Sequence, residues 1–284
     1  MDFLIDAFQP AFMQRALVGG IIAVVATSLI GTWIVLRGLA FLGDALAHGV
    51  IPGIAIAILW GFSPVIGAFV SALVMSGLVT FVSNRAPVRD DTAIGLLFVG
   101  MLALGVLIVS KSGSFATDVT SILFGDALGI TADDIRRQLL YTSILLVCTV
   151  LFYRPFMVLT FNQDKAQTLG MRPRFSQAVL LALLSLSIVA SFEAIGTLLV
   201  FGLLVAPPAT ASLLVRRVPG IMVVSILLGV LAVTAGLVVS FHYGTAGGAT
   251  MAGLSVLQFF IVLMGKELIK TLRKSKPAPI ATEV

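Results

Sequence analysis

The sequence has little charge, one cysteine and two histidines. Asp, Glu, Lys and Arg make up 11% of its 284 residues, whereas 59% are hydrophobic. A water-soluble domain needs more polar surface than this composition supplies, so the class of soluble globular proteins is excluded. The single cysteine, Cys148, excludes intrachain disulfides and clusters of thiolate metal ligands. We therefore interpret the chain as a polytopic membrane protein, and Cys148 as a small apolar residue of a helix.

Signals for three other roles are also absent. No GxxxxGK[ST] phosphate-binding loop occurs, so we expect ATP to be hydrolysed by a separate chain and not by this one. The opening MDFLIDAFQPAFMQRAL has no basic region ahead of its apolar residues, so we expect it to lead into the first span uncleaved. The net charge of +5 does not indicate nucleic acid, because the basic residues lie at span ends and in the tail.

Long apolar runs dominate what is present. Each run is long enough to cross the hydrocarbon core of a membrane, which takes about 20 helical residues. We predict an all-α bundle of about nine spans, with eight to ten as the bounds of the count. The predicted spans are 15–36, 39–59, 64–83, 92–110, 138–158, 175–192, 194–215, 219–241 and 247–269.

The distribution of Lys and Arg predicts the orientation of these spans. If the tail ELIKTLRKSK is cytoplasmic and the spans alternate, fourteen Lys and Arg residues lie inside and four lie outside. We therefore expect an extracytoplasmic N-terminus and a cytoplasmic C-terminus. Residues 1–270 are predicted to form one transmembrane domain, and 271–284 a basic, disordered cytoplasmic tail.

An aspartate and a histidine interrupt the second apolar run, in RGLAFLGDALAHGVIPGIAIA from Arg37 to Ala57. Asp44 and His48 are four residues apart, so on an α-helix they lie about 40° apart on one face. One carboxylate and one imidazole suit Zn²⁺, Mn²⁺ or Fe²⁺ better than Ca²⁺ or Mg²⁺. We predict that this pair handles a metal ion, and a structural aspartate satisfied by its neighbours is the alternative.

Small residues lie beside this pair, again at a spacing of four. They are Ala45, Gly49, Gly53 and Ala57. Such a stripe lets a second helix backbone approach closely. Two ligands are too few for a closed metal site, so we expect a symmetric homodimer that meets along this helix and supplies two Asp and two His. Pro52, Pro207 and Pro208 lie within spans, and we interpret them as helix bends.

Two connections are longer than the others. The outer one, 111–137, carries four acidic residues that attract either cations or a basic partner, unless it is a plain solvated loop. These residues are Asp118, Asp126, Asp133 and Asp134. The inner one, 159–174, contains NQDKAQTLGMRPR, which is typical of a short amphipathic helix at the cytoplasmic surface.

Four motifs along the chain carry a family resemblance. They are VLRGLAFLGDALAHGVIPGIAIA, DDTAIGLLF at 90–98, DKAQTLGM at 164–171 and IGTLLVFGLLVAPPATASLL at 195–214. Through these motifs, in this order, the chain resembles the integral-membrane permease subunits of bacterial ABC importers for zinc, manganese or iron. The last outer turn, FHYGTAGGAT, departs from the family's frequent Asp-x-Pro-x-Gly pattern by lacking the acid and the proline.

The resemblance implies a fold similar to the vitamin B12 type of importer permease, with two copies of the bundle around one pathway. It implies a cytoplasmic ATP-binding cassette ATPase and an extracytoplasmic metal-binding protein as partners. Asp164, Ala166 and Gly170 would belong to the coupling helix that enters a groove on the ATPase, and Asp44 and His48 would handle the transported metal. No permanently bound cofactor is expected.

Two further ionisable residues and two other functions remain open at this point. Glu193 lies at the outer end of a span, either on the route by which metal enters or in a structural role, and we interpret His242 as a satisfied interfacial side chain. A stand-alone secondary transporter usually needs several buried ionisable groups, and few are present. A membrane metalloenzyme needs a third ligand and a general base, and no HExxH or similar cluster occurs.

Overall fold

The computed structural model of the chain describes residues 6–85, 90–110, 129–161 and 172–274, and these ranges are helical apart from short turns. No strand occurs within them, which confirms the all-α prediction. In chain order, the described helices are α1 (Ala11–Leu36), α2 (Ala40–Gly49), α3 (Ile51–Trp60), α4 (Pro64–Arg85), α5 (Asp90–Ser110), α6 (Ala132–Leu151), α7 (Tyr153–Phe161), α8 (Pro173–Ile195), α9 (Thr197–Leu214), α10 (Val218–Tyr243) and α11 (Gly247–Lys274).

Each predicted span corresponds to one helix or to two consecutive helices. Within the described ranges, seven segments are long and apolar enough to cross a membrane: α1, α2 with α3, α4, α5, α8, α10 and α11. The pair α6 and α7 makes an eighth if it is one bent span, and α9 supplies a shorter apolar helix over Val200–Leu214. The count of about nine therefore agrees with the structure, and the chain is a multi-pass membrane protein.

The predicted span 138–158 corresponds to two helices, α6 and α7, with a bend between them. The chain bends by 66° between α6 and α7. Pro155 cannot donate a backbone hydrogen bond to the carbonyl of Leu151, so α6 ends there and a new helix starts at Tyr153. The bend brings Tyr153 and Phe156 edge-on to Trp33 of α1, with ring centroids 5.5 and 5.7 Å apart.

α6 also starts earlier than predicted, inside the connection 111–137. Thr131 and Asp134 form a capping box: the Asp134 carboxylate accepts the Thr131 N–H at 2.9 Å, and the Thr131 hydroxyl accepts the Asp134 N–H at 3.3 Å. Asp133 and Asp134 also pair with Arg136 and Arg137 of the same helix. These two aspartates therefore begin a helix, whereas Asp118 and Asp126 lie outside the described residues.

α1 lies at the centre of the bundle and contacts α6, α8, α9 and α10. Of its most apolar stretch, 72% is buried. Gly31 faces the backbone carbonyl oxygen of Leu204 in α9, and a Cβ atom at Gly31 would overlap that oxygen. Pro208 has no N–H to donate to this carbonyl, so α9 presents the carbonyl to α1 at very close approach. The proline thus has a place in tight helix packing, and the helix bend predicted for it stays a prediction.

The small-residue stripe of α2 and α3 packs against α4 of the same chain. A Cβ atom on Gly53 would overlap the carbonyl oxygen of Gly67, and one on Gly49 would overlap the Met75 sulfur. Ser71 of α4 donates to the carbonyl of Gly49 at 2.6 Å. The expected close approach of a second helix is present, and that helix is intramolecular.

The last helix, α11, continues to Lys274, so residues 271–274 of the predicted tail are helical. Residues 275–284 lie outside the described part of the chain. The carbonyl of Leu213, in the last turn of α9, accepts a hydrogen bond from the Lys266 ammonium group. This contact places the ends of α9 and α11 at the same face of the bundle, as alternating spans require.

Candidate functional site

Asp44 and His48 lie one turn apart on α2, on the shared face that their spacing predicts. The His48 Nδ1 atom is 3.6 Å from the Asp44 Oδ1 atom. The same nitrogen is 3.0 Å from the backbone carbonyl oxygen of Asp44. A carbonyl oxygen can only accept, so Nδ1 carries the proton and the lone pair of a neutral His48 is on Nε2. The ring therefore leaves Nε2 available to a ligand, and a backbone hydrogen bond holds the other nitrogen.

The pair lies on the side of α2 that packing within the chain leaves open. The Asp44 side chain is 29% exposed and that of His48 is 17% exposed. Their neighbours Leu42, Ala45 and Leu46 are buried. A carboxylate at membrane depth costs several kcal/mol unless a partner or water stabilises it. The open face thus leaves the carboxylate accessible to a cation or to another chain.

An aromatic wall borders this face. The ring of Phe98 on α5 lies edge-on to the His48 imidazole, with centroids 5.2 Å apart and planes at 89°. Phe41, one turn before Asp44 on α2, packs against Phe98 at 6.2 Å. Through Phe98, the His48 imidazole thus contacts α5 directly. Neither phenylalanine was predicted as a site residue, although Phe98 ends the DDTAIGLLF motif and Phe41 shares the face of Asp44.

Three of the four sequence motifs meet around α2. α5 contributes Phe98, as above, and α9 approaches from another side. A Cβ atom on Gly43 would lie 2.6 Å from the Leu204 side chain of α9, so only glycine fits there without a shift. The motif residues of α2, α5 and α9 thus build one region of the molecule, which their separation along the chain does not reveal.

Within the part of the chain that the structure describes, the pair has no third metal-ligating side chain beside it. Among the described residues, no group of three or more His, Cys, Asp or Glu side chains could hold a metal ion. If the predicted metal-handling role holds, Asp44 and His48 need further donors, from water, from the backbone or from a second copy. This agrees with the expectation that two ligands per chain are too few.

The structure says less about the remaining predicted site residues. Glu193 belongs to the last turn of α8, and its role stays a prediction. Asp164, Ala166 and Gly170 lie outside the described residues, so the coupling helix also stays a prediction. His242 is near the end of α10, where its Nδ1 atom is 2.9 Å from the carbonyl of Val238. This hydrogen bond fits the interpretation of His242 as a satisfied interfacial side chain.

Comparisons with known proteins show similarity over almost the whole chain. It matches the ABC 3 transport family over residues 9–266. It is 34% identical to the chelated iron transport system membrane protein YfeD of Yersinia pestis, over 98% of this chain and 93% of that protein. It is 32% identical to the manganese transport system membrane protein MntC of Listeria monocytogenes, over 93% of this chain and 94% of that protein.

A solved structure shows the same architecture. A chain of PsaBC from Streptococcus pneumoniae, in complex with a Fab, superimposes with a TM-score of 0.83 at 28% sequence identity. The match covers 92% of this chain and 94% of that chain. These similarities confirm the resemblance drawn from the four motifs and the polytopic helical fold. The chain belongs to the ABC 3 transport family and is a membrane permease subunit.

Proposed function

We propose that this permease forms, as a homodimer, the translocation pathway of an ATP-driven importer for a divalent transition metal. Manganese and iron are named in the descriptions of the similar proteins from Listeria monocytogenes and Yersinia pestis, and the Asp and His donors fit these metals as well as zinc. A separate ATP-binding cassette ATPase hydrolyses the ATP, and an extracytoplasmic binding protein delivers the metal.

The observation that supports the proposal is that Asp44 and His48 share one partly exposed face of α2, within an apolar segment long enough to span a membrane. Packing within the chain already uses the small-residue edge of α2 and α3, through Gly53 and Gly67. The pair lies on a different face of α2, which remains for a second copy. A two-fold axis beside this face brings two carboxylates and two imidazoles together, which is enough for a four-coordinate metal.

The chemistry of this pair suits transport better than storage. The Asp44 carboxylate offsets the cost of stripping water from a divalent cation, and Nε2 of His48 supplies a borderline donor that prefers transition metals. The site lies in the inner half of the membrane in the predicted orientation, about five residues from the cytoplasmic end of its span. A partly exposed pair binds weakly enough for the ion to leave toward the cytoplasm.

The coupling step is assigned to the inner connection. In this proposal the segment with Asp164, Ala166 and Gly170 docks in the ATPase and transmits its motion to the spans on either side. Replacing Gly170 by Leu should stop uptake while the protein still inserts in the membrane. Stimulation of ATP hydrolysis by loaded binding protein in this variant would contradict the coupling assignment.

Metal uptake into proteoliposomes, measured with the permease and its ATPase together, tests the metal-handling pair. Asp44→Asn keeps the shape of the side chain but removes its charge, and His48→Ala removes the imidazole. We expect each to lower manganese uptake by at least about tenfold, since even indirect partners of metal ligands are worth 10–100-fold. Copurification of the ATPase should be unchanged.

The chain offers a matched control for each substitution. Asp133→Asn makes the same change at a carboxylate that is 81% exposed at the start of α6, and His242→Ala removes the other histidine. Both should transport like the wild type. Wild-type uptake by Asp44→Asn and His48→Ala would show that the pair is structural. Uptake without any ATPase would instead identify a stand-alone secondary transporter.

Cross-linking tests the dimer face independently. In a Cys148→Ser background, a cysteine at position 41 lies on the open face of α2, and a cysteine at position 139 lies on the exposed side of α6. A bifunctional maleimide should join two copies through position 41 and not through position 139. Cross-linking through position 139 alone would place the dimer interface elsewhere.

A further inference from the structure

A cluster of basic side chains lies where α9 ends, α10 begins and α11 reaches the same face of the bundle. Arg216 and Arg217 form the connection between α9 and α10, and both are exposed. Lys266 of α11 donates to the carbonyl of Leu213, which fixes α11 beside this connection. Lys270 lies one turn further along α11 and is also exposed.

This cluster carries an excess of positive charge. Glu267 is the only acidic residue between positions 196 and 274, and its carboxylate lies 3.6 Å from the Lys270 ammonium group. Four basic side chains and one carboxylate leave a net charge of about +3 at this junction, where the hydrogen bond from Lys266 to Leu213 joins α11 to the end of α9. Exposed charges of one sign raise the local potential and attract an anion. The cluster lies on the predicted cytoplasmic side, where the membrane surface is itself anionic.

Exposed apolar surface begins next to the cluster, on the same two helices. Val223, about one and a half turns into α10, is 58% exposed, and Met264, just before Lys266 in α11, is 71% exposed. Both surfaces continue toward the membrane interior, through Leu227 on α10 and Ile261 on α11, which are 63% and 60% exposed. A ligand that covers both features needs an anionic head and apolar chains.

We propose that Arg216, Arg217 and Lys270 form a binding site for the headgroup of an anionic phospholipid, with Lys266 holding α11 in place beside it. The headgroup phosphate lies among the basic side chains, and the acyl chains lie along the exposed apolar residues of α10 and α11. An acidic surface of a protein would fit the charge but would leave this adjoining apolar surface uncovered. The proposal does not depend on the metal-handling role of Asp44 and His48.

Native mass spectrometry of the purified permease tests the site, with dioleoylphosphatidylglycerol as the anionic probe and dioleoylphosphatidylcholine as the neutral one. The variant combines Arg216→Gln, Arg217→Gln and Lys270→Gln. The control combines Arg85→Gln, Arg154→Gln and Arg174→Gln, which removes the same charge from exposed residues of α4, α7 and α8 on the same predicted side.

We expect the wild type and the control to prefer the anionic lipid, and the cluster variant to lose at least about tenfold in affinity for it. Each basic residue near an anionic membrane surface contributes roughly fivefold. Affinity for the neutral lipid should not change. Lys270→Arg alone should bind like the wild type, which shows that the charge and not one side-chain shape is recognised.

Three results would overturn the proposal. An equal loss in the control would mean that net charge alone attracts the lipid. Displacement of the bound lipid by excess inorganic phosphate would mean that the site recognises a free anion. Unchanged lipid binding in the cluster variant, with loss of ATPase copurification, would identify the surface as a protein interface.

Discussion

The surroundings of α1 and the surroundings of α5 are packed in opposite ways. In α1, 72% of the most apolar stretch is buried, whereas in α5 only 22% is. Helices touch α1 at backbone distance, as at Gly31, whereas long side chains of α5 such as Leu96 and Leu107 are more than 60% exposed. The ionisable pair of α2 lies on the α5 side. The chain therefore buries most of α1 by itself, and leaves most of α5, next to Asp44 and His48, exposed.

This difference separates two roles within one bundle. The α1 region resists change because neighbouring backbones already touch, and close-packed interiors do not yield continuously. The α5 region offers apolar surface that the chain does not cover by itself, next to the open face of Asp44 and His48. Lipid or a second copy covers such surface in the membrane. Substitutions around α1 should therefore lower the free energy of unfolding, whereas substitutions around α5 should mainly affect transport.

The largest expected difference is between the two tryptophans. Trp33 of α1 is fully buried between Tyr153 and Phe156, whereas Trp60 at the end of α3 is 79% exposed. Trp33→Ala leaves a large cavity and should lower the free energy of unfolding by about 3–5 kcal/mol. Trp60→Ala should change it by less than about 0.5 kcal/mol. Unfolding by sodium dodecyl sulfate measures both, and equal effects would remove the contrast between the two regions.

A second pair compares two glycines. In Gly31→Ala the new methyl group meets the Leu204 carbonyl of α9, which cannot move without displacing that helix. Overpacking of this kind costs about 1–3 kcal/mol. At Gly100 of α5, no heavy atom lies within 4 Å of the position that a new methyl group would take, so Gly100→Ala should be neutral or slightly stabilising. An unchanged free energy of unfolding in Gly31→Ala would show that α9 can move away from α1 at little cost.

The sequence predicted the scaffold well because hydrophobic length and helical spacing are local properties. The nine apolar runs and the shared face of Asp44 and His48 are both present. The sequence did not show which helix fills the small-residue stripe, because spacing does not distinguish α4 from a second copy. The helix break near Pro155 was not predicted, because hydrophobic residues continue on both sides of it. Phe98 was not predicted as a site residue, because its contact with His48 joins segments that are distant in the sequence.

The third prediction concerns Phe98, which tests the open region through function. Phe98→Ala removes the ring that packs against the His48 imidazole. If His48 has the proposed metal-handling role, the apparent KM for uptake should rise by about tenfold. The maximal rate and the unfolding free energy should change little, because Phe98 is only half-buried. Phe98→Tyr keeps the ring and should restore the KM. A lower maximal rate with unchanged KM would contradict a positioning role.

The smallest expected effect is at the turn between α1, which is largely buried, and α2, which carries Asp44 and His48. Gly38 lies between α1 and α2 and has a φ of 69°. Its N–H donates to the carbonyl of Val35, and the N–H of Leu39 donates to the carbonyl of Ile34, both at 3.0 Å. This is a Schellman motif, whose left-handed residue favours glycine. No atom lies within 4 Å of a Cβ at this position, so Gly38→Ala should cost only the backbone strain, about 1 kcal/mol.

Gly38→Asn should cost less than Gly38→Ala, because asparagine adopts the left-handed conformation more readily. Gly265 of α11 provides the control, since it is helical and its Cβ position is equally open. Gly265→Ala should therefore stabilise the protein by roughly 0.5–1 kcal/mol, the opposite sign. Unfolding in sodium dodecyl sulfate should rank the wild type as most stable, then Gly38→Asn, then Gly38→Ala. An alanine as stable as glycine at position 38 would mean that α1 and α2 adjust to a different turn, and that the start of α2 is not fixed by α1.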